Sequence, residues 1–250
     1  KFMTSNSCQM FAVDNFPLIQ EGDDLSELIL AYGPLPGDVI AVAQKVISKA
    51  EGRQRSLSDV IPSEQAEQFS EVTDKDPRLL ELILSESKRV VRAAPGIMIV
   101  EHRLGFVMAN AGIDASNVGG SDKVLLLPEN PDSTAQNLAS SIRKRTGVNV
   151  GVVITDSWGR PWRLGTVGFA LGVAGIPALI DMTGKEDLDG RVLQSTHIGI
   201  ADELAAAASL LMGQAAEAQP VIIIRGLKIP PSSGEAKDLI RPLVDDHFRL

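Results

Sequence analysis

Three short runs of uninterrupted apolar residues set the strongest limit on how this chain can fold: Val39–Ala43, 150–154 and 221–224. Each is too short to be a helix of its own and is bounded by turn residues or charges, so each reads as a strand buried inside a sheet. Between them the spacing turns helical. Asp23 or Asp24 can cap a helix over 25–32 that Gly33 ends. Asp76 and Pro77 open another, with Leu79, Leu80, Ile83 and Leu84 on one face. Ser133 opens a helix closed by Gly147, residues 202–212 form an Ala/Leu-rich helix, and 63–72 and 235–239 read as weaker or shorter ones. Residues 8–13, 97–101, 105–109 and 124–127 read as further strands. Residues 51–62 read as a loop, and the glycine-rich stretch 159–175 as part strand. Strands and helices mix without strict βαβ alternation. That favours an α+β architecture, with mixed sheets and flanking helices, over a doubly wound sheet. No repeat or low-complexity linker divides the chain. Residues 8–250 read as one unit and 1–7 as an N-terminal extension.

Composition removes several function classes. The chain has 250 residues, 44% of them hydrophobic, which excludes disorder as a global description. Lys and Arg number 24 against 32 Asp and Glu, a formal charge of −8, and no basic stripe runs along any segment. Nucleic acid is therefore not an expected partner. The single cysteine, Cys8, excludes a disulfide framework and fits a reducing, cytoplasmic setting. Residues 167–180 are the longest weakly polar stretch, but they carry Gly168, Gly172, Gly175 and Pro177 and fall short of the roughly 20 apolar residues a membrane span needs. The first ten residues lack the apolar core of a secretory signal, so none is expected.

The common nucleotide and hydrolase signatures are missing. Gly184-Lys185 is the one Gly-Lys pair and is followed by Glu186, so no P-loop is present, and no GxGxxG occurs. His102, His197 and His247 are scattered, with no HExxH, and no GxSxG elbow appears.

What remains is a set of polar clusters abutting apolar strands. Asp114 and Asn117 lie among small residues just after a strand, where a carboxylate and an amide suit a hard cation; the same residues also read as an Asx turn. Asp156 ends the run Val152-Val153-Ile154 and is flanked by Thr155 and Ser157; it reads as a metal ligand or as a turn cap. Arg160 and Arg163, stiffened by Pro161, suit an anion or surface ion pairs. Lys45 and Lys49 follow a buried strand and can reach phosphates or remain solvated. Gly213 and Gln214 end the last long helix, as a ligand loop or a plain C-cap. Two carboxylates, several cations and clustered glycines together suggest metal and nucleotide-phosphate chemistry without a P-loop.

On these residues the chain resembles the GTP-dependent coenzyme F420-0:L-glutamate ligases. The matching segments include FPLIQEGDDL from Phe16, GDVIAVAQKVISKAEGR from Gly37, NAGIDASNV from Asn110, VVITDSWGRPWRLGTVGFALGVAG from Val152 and ADELAAAASLLMG from Ala201. They run in family order over nearly the whole chain. The resemblance implies a ligase-specific fold of two intertwined α+β subdomains and a homodimer. It also implies divalent-metal ligands at Asp114, Asp156 and Ser157, with Gln214 as a further candidate. GTP contacts would fall on Phe16, Pro17, Leu18, Ile19, Gln44, Lys45, Lys49 and Asn117, and on the loop that starts at Met212, Gly213 and Gln214. Ser157 stands where threonine is common and keeps the hydroxyl; Gln214 stands where a glutamate can occur. Some actinobacterial members carry an additional C-terminal reductase-like domain, which is not expected here.

The implied activity joins L-glutamate to the lactyl carboxylate of coenzyme F420-0 through an acyl phosphate. GTP is the co-substrate, and Mn2+ or Mg2+ the metal. Asp114, Asp156 and Lys49 would carry the catalysis, with Arg160 or Arg163 as further candidates for the transferring charge. Two alternatives share this reading of the residues: a γ-glutamyl ligase acting on a folate or pterin, and a non-catalytic GTP- or coenzyme-binding protein.

Overall fold

The computed structural model describes residues 7–246. In chain order the strands are β1 (Gln9–Ala12), β2 (Val39–Ala43), β3 (Gln54–Ser56), β4 (Ser87–Ala94), β5 (Ile97–His102), β6 (Val107–Ala109), β7 (Lys123–Leu125), β8 (Gly151–Arg160), β9 (Arg163–Ala174), β10 (Ile180–Asp181), β11 (His197–Ile198) and β12 (Val221–Arg225). The helices are α1 (Leu25–Leu30), α2 (Gln44–Ala50), α3 (Glu64–Thr73), α4 (Pro77–Ser85), α5 (Pro131–Thr146) and α6 (Ile200–Met212). The fold is α+β.

The three apolar runs become β2, β8 and β12, which lie side by side in the middle of a five-stranded sheet ordered β1-β12-β2-β8-β9. Their residues from Val39 to Val42 and from Val221 to Ile224 are all under 5 % exposed. Strands β2 and β8 are parallel, with Ala43 opposite Thr155, and the other pairs in this sheet are antiparallel. Helices α5 and α6 pack on β8 and β9. Glycines make this possible. A Cβ on Gly168 would run into the carbonyl of Ala205 on α6, and one on Gly172 into the backbone of Pro131 on α5. An acidic side chain from the first turn of each helix completes the contact: Asp132 accepts from the Val173 amide at 2.8 Å and Asp202 from the Ala170 amide at 2.9 Å.

A second apolar cluster of Ala66, Leu80, Ile83, Met98, Val100 and Ala111 joins α3 and α4 to the three-stranded sheet β4-β5-β6. Arg53, just beyond α2, ties this part to the rest. Its Nη2 donates to both oxygens of Glu86 at 2.9 Å and its Nε to the Leu127 carbonyl at 2.9 Å. Arg103 Nε also donates to Glu86.

Helix caps follow the sequence closely. Asp24 accepts from the Ser26 and Glu27 amides, Asp76 caps α4 before Pro77, and Gly147 ends α5 at φ 76°. Several elements differ from the sequence reading, beyond the short strands β10 and β11, which it did not include. Residues 51–62 are not a plain loop: Gln54–Ser56 pairs with β7, and Leu57–Asp59 is a 3-10 turn. Strand β4, rich in charge and bulged against β5, has no apolar alternation to reveal it. Helix α5 starts at Pro131 rather than Ser133, because the Asn130 side chain accepts from the Ser133 amide. The last short helix is a 3-10 turn, Ala236–Leu239. Of the N-terminal extension, residues 1–6 lie outside the described residues, as does His247.

Candidate functional site

Strand β2 runs without a loop into α2, so Gln44, Lys45, Ser48 and Lys49 stand just past the end of a buried strand. Positions four apart share a helix face. Lys45 and Lys49 form one such pair, and Gln44 and Ser48 another, with Ser48 Oγ donating to Gln44 Oε1 at 2.9 Å. The parallel neighbour β8 ends its buried stretch at Thr155 and turns partly exposed at Asp156 and Ser157. In open sheets of mixed connection, the carboxyl ends of neighbouring parallel strands are where ligands bind.

A cavity of about 560 Å³ opens there. Phe16, Pro17, Leu18 and Ile19 supply an apolar stretch of its wall; Gln44, Lys45, Lys49 and Asn117 line it, as do Thr155, Asp156 and Ser157 of β8. The segment Met212, Gly213, Gln214 and onward to Pro220 completes it between α6 and β12. Every nucleotide-contact position named from sequence thus borders one cavity. Val46, Gly119, Thr155, Gly168 and Ser209 line it as well and were not among them. Thr155 left a trace in the sequence as a hydroxyl residue breaking an apolar run, and Gly168 as one of the clustered glycines.

Asp114 lies behind Lys45 rather than in the cavity wall. Its Oδ2 is 2.6 Å from Lys45 Nζ, and its Oδ1 accepts from the amide and hydroxyl of Ser116 at 2.6 and 2.7 Å. The Asx-turn reading of Asp114 is therefore realised. Lys45 Nζ also donates to Ser116 Oγ at 2.8 Å. Burial opposes ionisation of Asp114, but the bonds from Lys45 and Ser116 outweigh it and hold the carboxyl below its ordinary range. Asp156 has the opposite balance. Burial dominates, the Ser157 amide and Trp158 Nε1 compensate in part, the Asp114 charge adds to the burden, and its pKa is pushed up to about 6. Lys49 is pushed down, first by burial and then by the neighbouring charge of Lys45.

Arg160 and Arg163, read from sequence as suiting an anion or surface ion pairs, do not line the cavity. They face each other across the turn of the β8–β9 hairpin, where Arg160 Nη2 donates to the Leu164 carbonyl at 3.2 Å. Gly213 ends α6, its amide donating to the Ser209 carbonyl at 3.3 Å, and Asn117 Nδ2 donates to the Ala215 carbonyl at 3.3 Å. This second bond ties the Asp114 loop to the segment after α6.

Among the described residues no three His, Cys, Asp or Glu gather as a ready metal cage. The donor chemistry nonetheless fits a hard divalent cation. Asp114, Asp156 and the Ser157 hydroxyl offer only oxygen. The Lys45 ammonium already sits on Asp114 as a cation, and its charge offsets the burial of Asp156 only in part.

An apolar stretch, two ammonium groups and the Asp156 carboxylate around one cavity, with Asp114 behind Lys45, suit a charged small molecule. The chain belongs to the F420-0:gamma-glutamyl ligase family, whose model matches residues 14–226. Relatives bearing the name coenzyme F420:L-glutamate ligase include those of Methanopyrus kandleri (49% identical, 92% of this chain and 93% of the relative) and Methanocaldococcus jannaschii (46% identical, 93% and 94%). That of Archaeoglobus fulgidus is 42% identical over 96% of each chain. Among the described residues no helix is long and apolar enough to cross a membrane.

Proposed function

We propose that this protein is a GTP-dependent ligase that joins L-glutamate to the lactyl carboxylate of coenzyme F420-0 and then adds a second glutamate through a γ-linkage. Family membership supports the substrates. The observation that carries the chemistry is the presence of Lys45, Lys49 and Asp156 in the wall of one cavity with the apolar stretch from Phe16 to Ile19, and of Asp114 in contact with Lys45.

The apolar stretch suits the face of a nucleobase, and Asn117 with Met212, Gly213 and Gln214 suits the rest of the nucleoside. The two lysines suit its phosphates; Lys49, partly desolvated, exerts its charge through a weakly screening environment. Asp114, Asp156 and Ser157, with the Gln214 side chain as a further oxygen, would hold Mn2+ or Mg2+, which supplies neutralising charge between phosphates and acceptor carboxylate. In the first step a lactyl carboxylate oxygen bonds to the γ-phosphorus. The bond to the β,γ-bridging oxygen breaks and GDP leaves with that electron pair. Lys45 and Lys49 stabilise the charge spread over the transferring group. In the second step the glutamate α-amine bonds to the acyl carbon, and phosphate departs and takes up the amine proton.

Mass spectrometry tests this. The protein is incubated with coenzyme F420-0, L-glutamate, GTP and Mn2+. Addition of one or more glutamyl units, with GDP released and no product without metal, is the expected result. Product with a pterin acceptor instead would move the assignment to the related ligase, and nucleotide binding without turnover would reduce it to a binding protein. The reading extends to a cytoplasmic homodimer, an oligomeric state that sedimentation checks.

A further inference from the structure

Two residues of the cavity wall carry a buried polar atom with no hydrogen-bond partner: Gln44, through Nε2, and Thr155, through Oγ1. Gln44 is 1 % exposed and Thr155 3 %. Buried polar groups are almost always paired, so two orphans in one wall point to a group that the protein alone does not supply. They are also neighbours. Ala43 is opposite Thr155 across β2 and β8, and Gln44 follows Ala43 directly. Ser48 Oγ fixes the other end of the Gln44 amide, which orients Nε2 as a free donor. An amide N–H donates only, and a hydroxyl donates or accepts, so a single acceptor oxygen satisfies both. Asp156 and Ser157 follow Thr155 in the chain, and Lys45 and Lys49 share the wall. Of the two ammonium groups Lys45 is already paired with Asp114, and the charge of Lys49 favours an anionic oxygen there.

We propose that Thr155 is a catalytic residue: its hydroxyl, together with Gln44 Nε2, binds one non-bridging oxygen of the nucleotide's terminal phosphoryl group. The inference rests on the nucleotide-dependent reading above. The bond holds that oxygen while the acceptor carboxylate oxygen bonds to phosphorus and the bond to the bridging oxygen breaks. The three non-bridging oxygens stay on phosphorus throughout, so the contact persists through the transfer. It has no counterpart once only the diphosphate is bound.

The test compares the wild type with Thr155→Val, which keeps the shape and removes the hydroxyl, and with Thr155→Ser, which restores it. Affinity for GDP and for a β,γ-imido analogue of GTP is measured by calorimetry with Mn2+, beside kcat, KM and the thermal midpoint. The valine variant should bind the triphosphate analogue about tenfold more weakly, as loss of one such hydrogen bond implies. Its GDP affinity should stay unchanged, kcat should fall at constant KM for glutamate, and the thermal midpoint should hold or rise because a buried unpaired hydroxyl is gone. Serine should recover both binding and rate. Equal loss for both nucleotides, no loss for either, or loss confined to coenzyme F420-0 would overturn the proposal and leave the ligase reading standing. A lowered midpoint with proportionate loss of every parameter would make the hydroxyl structural and overturn it too. A wild type that binds neither nucleotide would overturn the nucleotide reading itself, and this proposal with it.

Discussion

Replacing Glu86 with glutamine should cost stability in a way that depends on pH. The Glu86 side chain is 11 % exposed and accepts from Arg53 and Arg103, with His102 Nε2 3.5 Å away. Burial alone would raise its pKa, but the nearby His102 imidazole, the bond from Arg103 and the charges of Arg53 and Arg103 reverse the balance and bring it from 4.5 to about 2. A shift of that size corresponds to about 3 kcal/mol. The folded-state pKa is depressed, so this stability is fully present above pH 4.5 and is lost as pH falls toward 2. Glutamine cannot carry the charge, and it leaves two arginines with a neutral partner. Urea denaturation of both proteins from pH 7 to pH 2 checks the expectation. The variant should be less stable by about 3 kcal/mol at neutral pH, and the gap should close as the wild type is titrated. A gap of constant size across that range would refute the linkage, and no gap at neutral pH would refute the role of the cluster itself.

The site and the sheet yield further expectations. Asp156→Asn should abolish ligation with the fold intact, measured by product mass and circular dichroism; wild-type turnover would remove Asp156 from the metal site. The same variant reads out the raised pKa of Asp156. Its folded pKa exceeds the unfolded value, so ionising it lowers stability as pH climbs from 3.8 to about 6. Calorimetry at pH 8 should therefore find the metal-free asparagine variant at least as stable as the wild type. Lys49→Met should weaken GTP binding about tenfold or more in a titration and leave the thermal midpoint within a few degrees. Gly172→Ala should destabilise by about 2 kcal/mol or more in urea, because the new methyl meets the Pro131 backbone rather than a side chain that can turn aside.

The middle of the fold was legible because its chemistry is local. Val39–Ala43, 150–154 and 221–224 could only be buried strands, and Asp24, Asp76 and Gly147 announce their helix ends. Strand β3 was not legible, since Gln54, Arg55 and Ser56 form a strand only because β7 pairs with them from far along the chain. The site divides along the same line. Asp114, Asp156 and Lys45 each suggested themselves by type and neighbourhood, but the 2.6 Å contact between Lys45 and Asp114 is a product of the tertiary fold. Arg160 and Arg163 could not be placed from the sequence, because two arginines around a proline look alike in an anion site and in a hairpin turn. Thr155 showed in the sequence only as a hydroxyl at the end of an apolar run; that this hydroxyl is buried and unpaired is visible only in the fold.

The two acidic residues that reach from α5 and α6 onto β9 matter beyond packing. Strand β9 is the last of its sheet, and a last strand presents free amides that a second molecule could adopt as a template. Asp132 and Asp202 occupy two of those amides, and the helices that carry them lie close because Gly172 and Gly168 have no side chain. The opposite edge, β1, is only four residues long. The native sheet is thus blunted at both ends against growth into a polymer. Its safety against strand-to-strand aggregation depends on α5 and α6 staying docked, so detachment of either helix, rather than loss of the apolar core, is the event that would open this protein to aggregation.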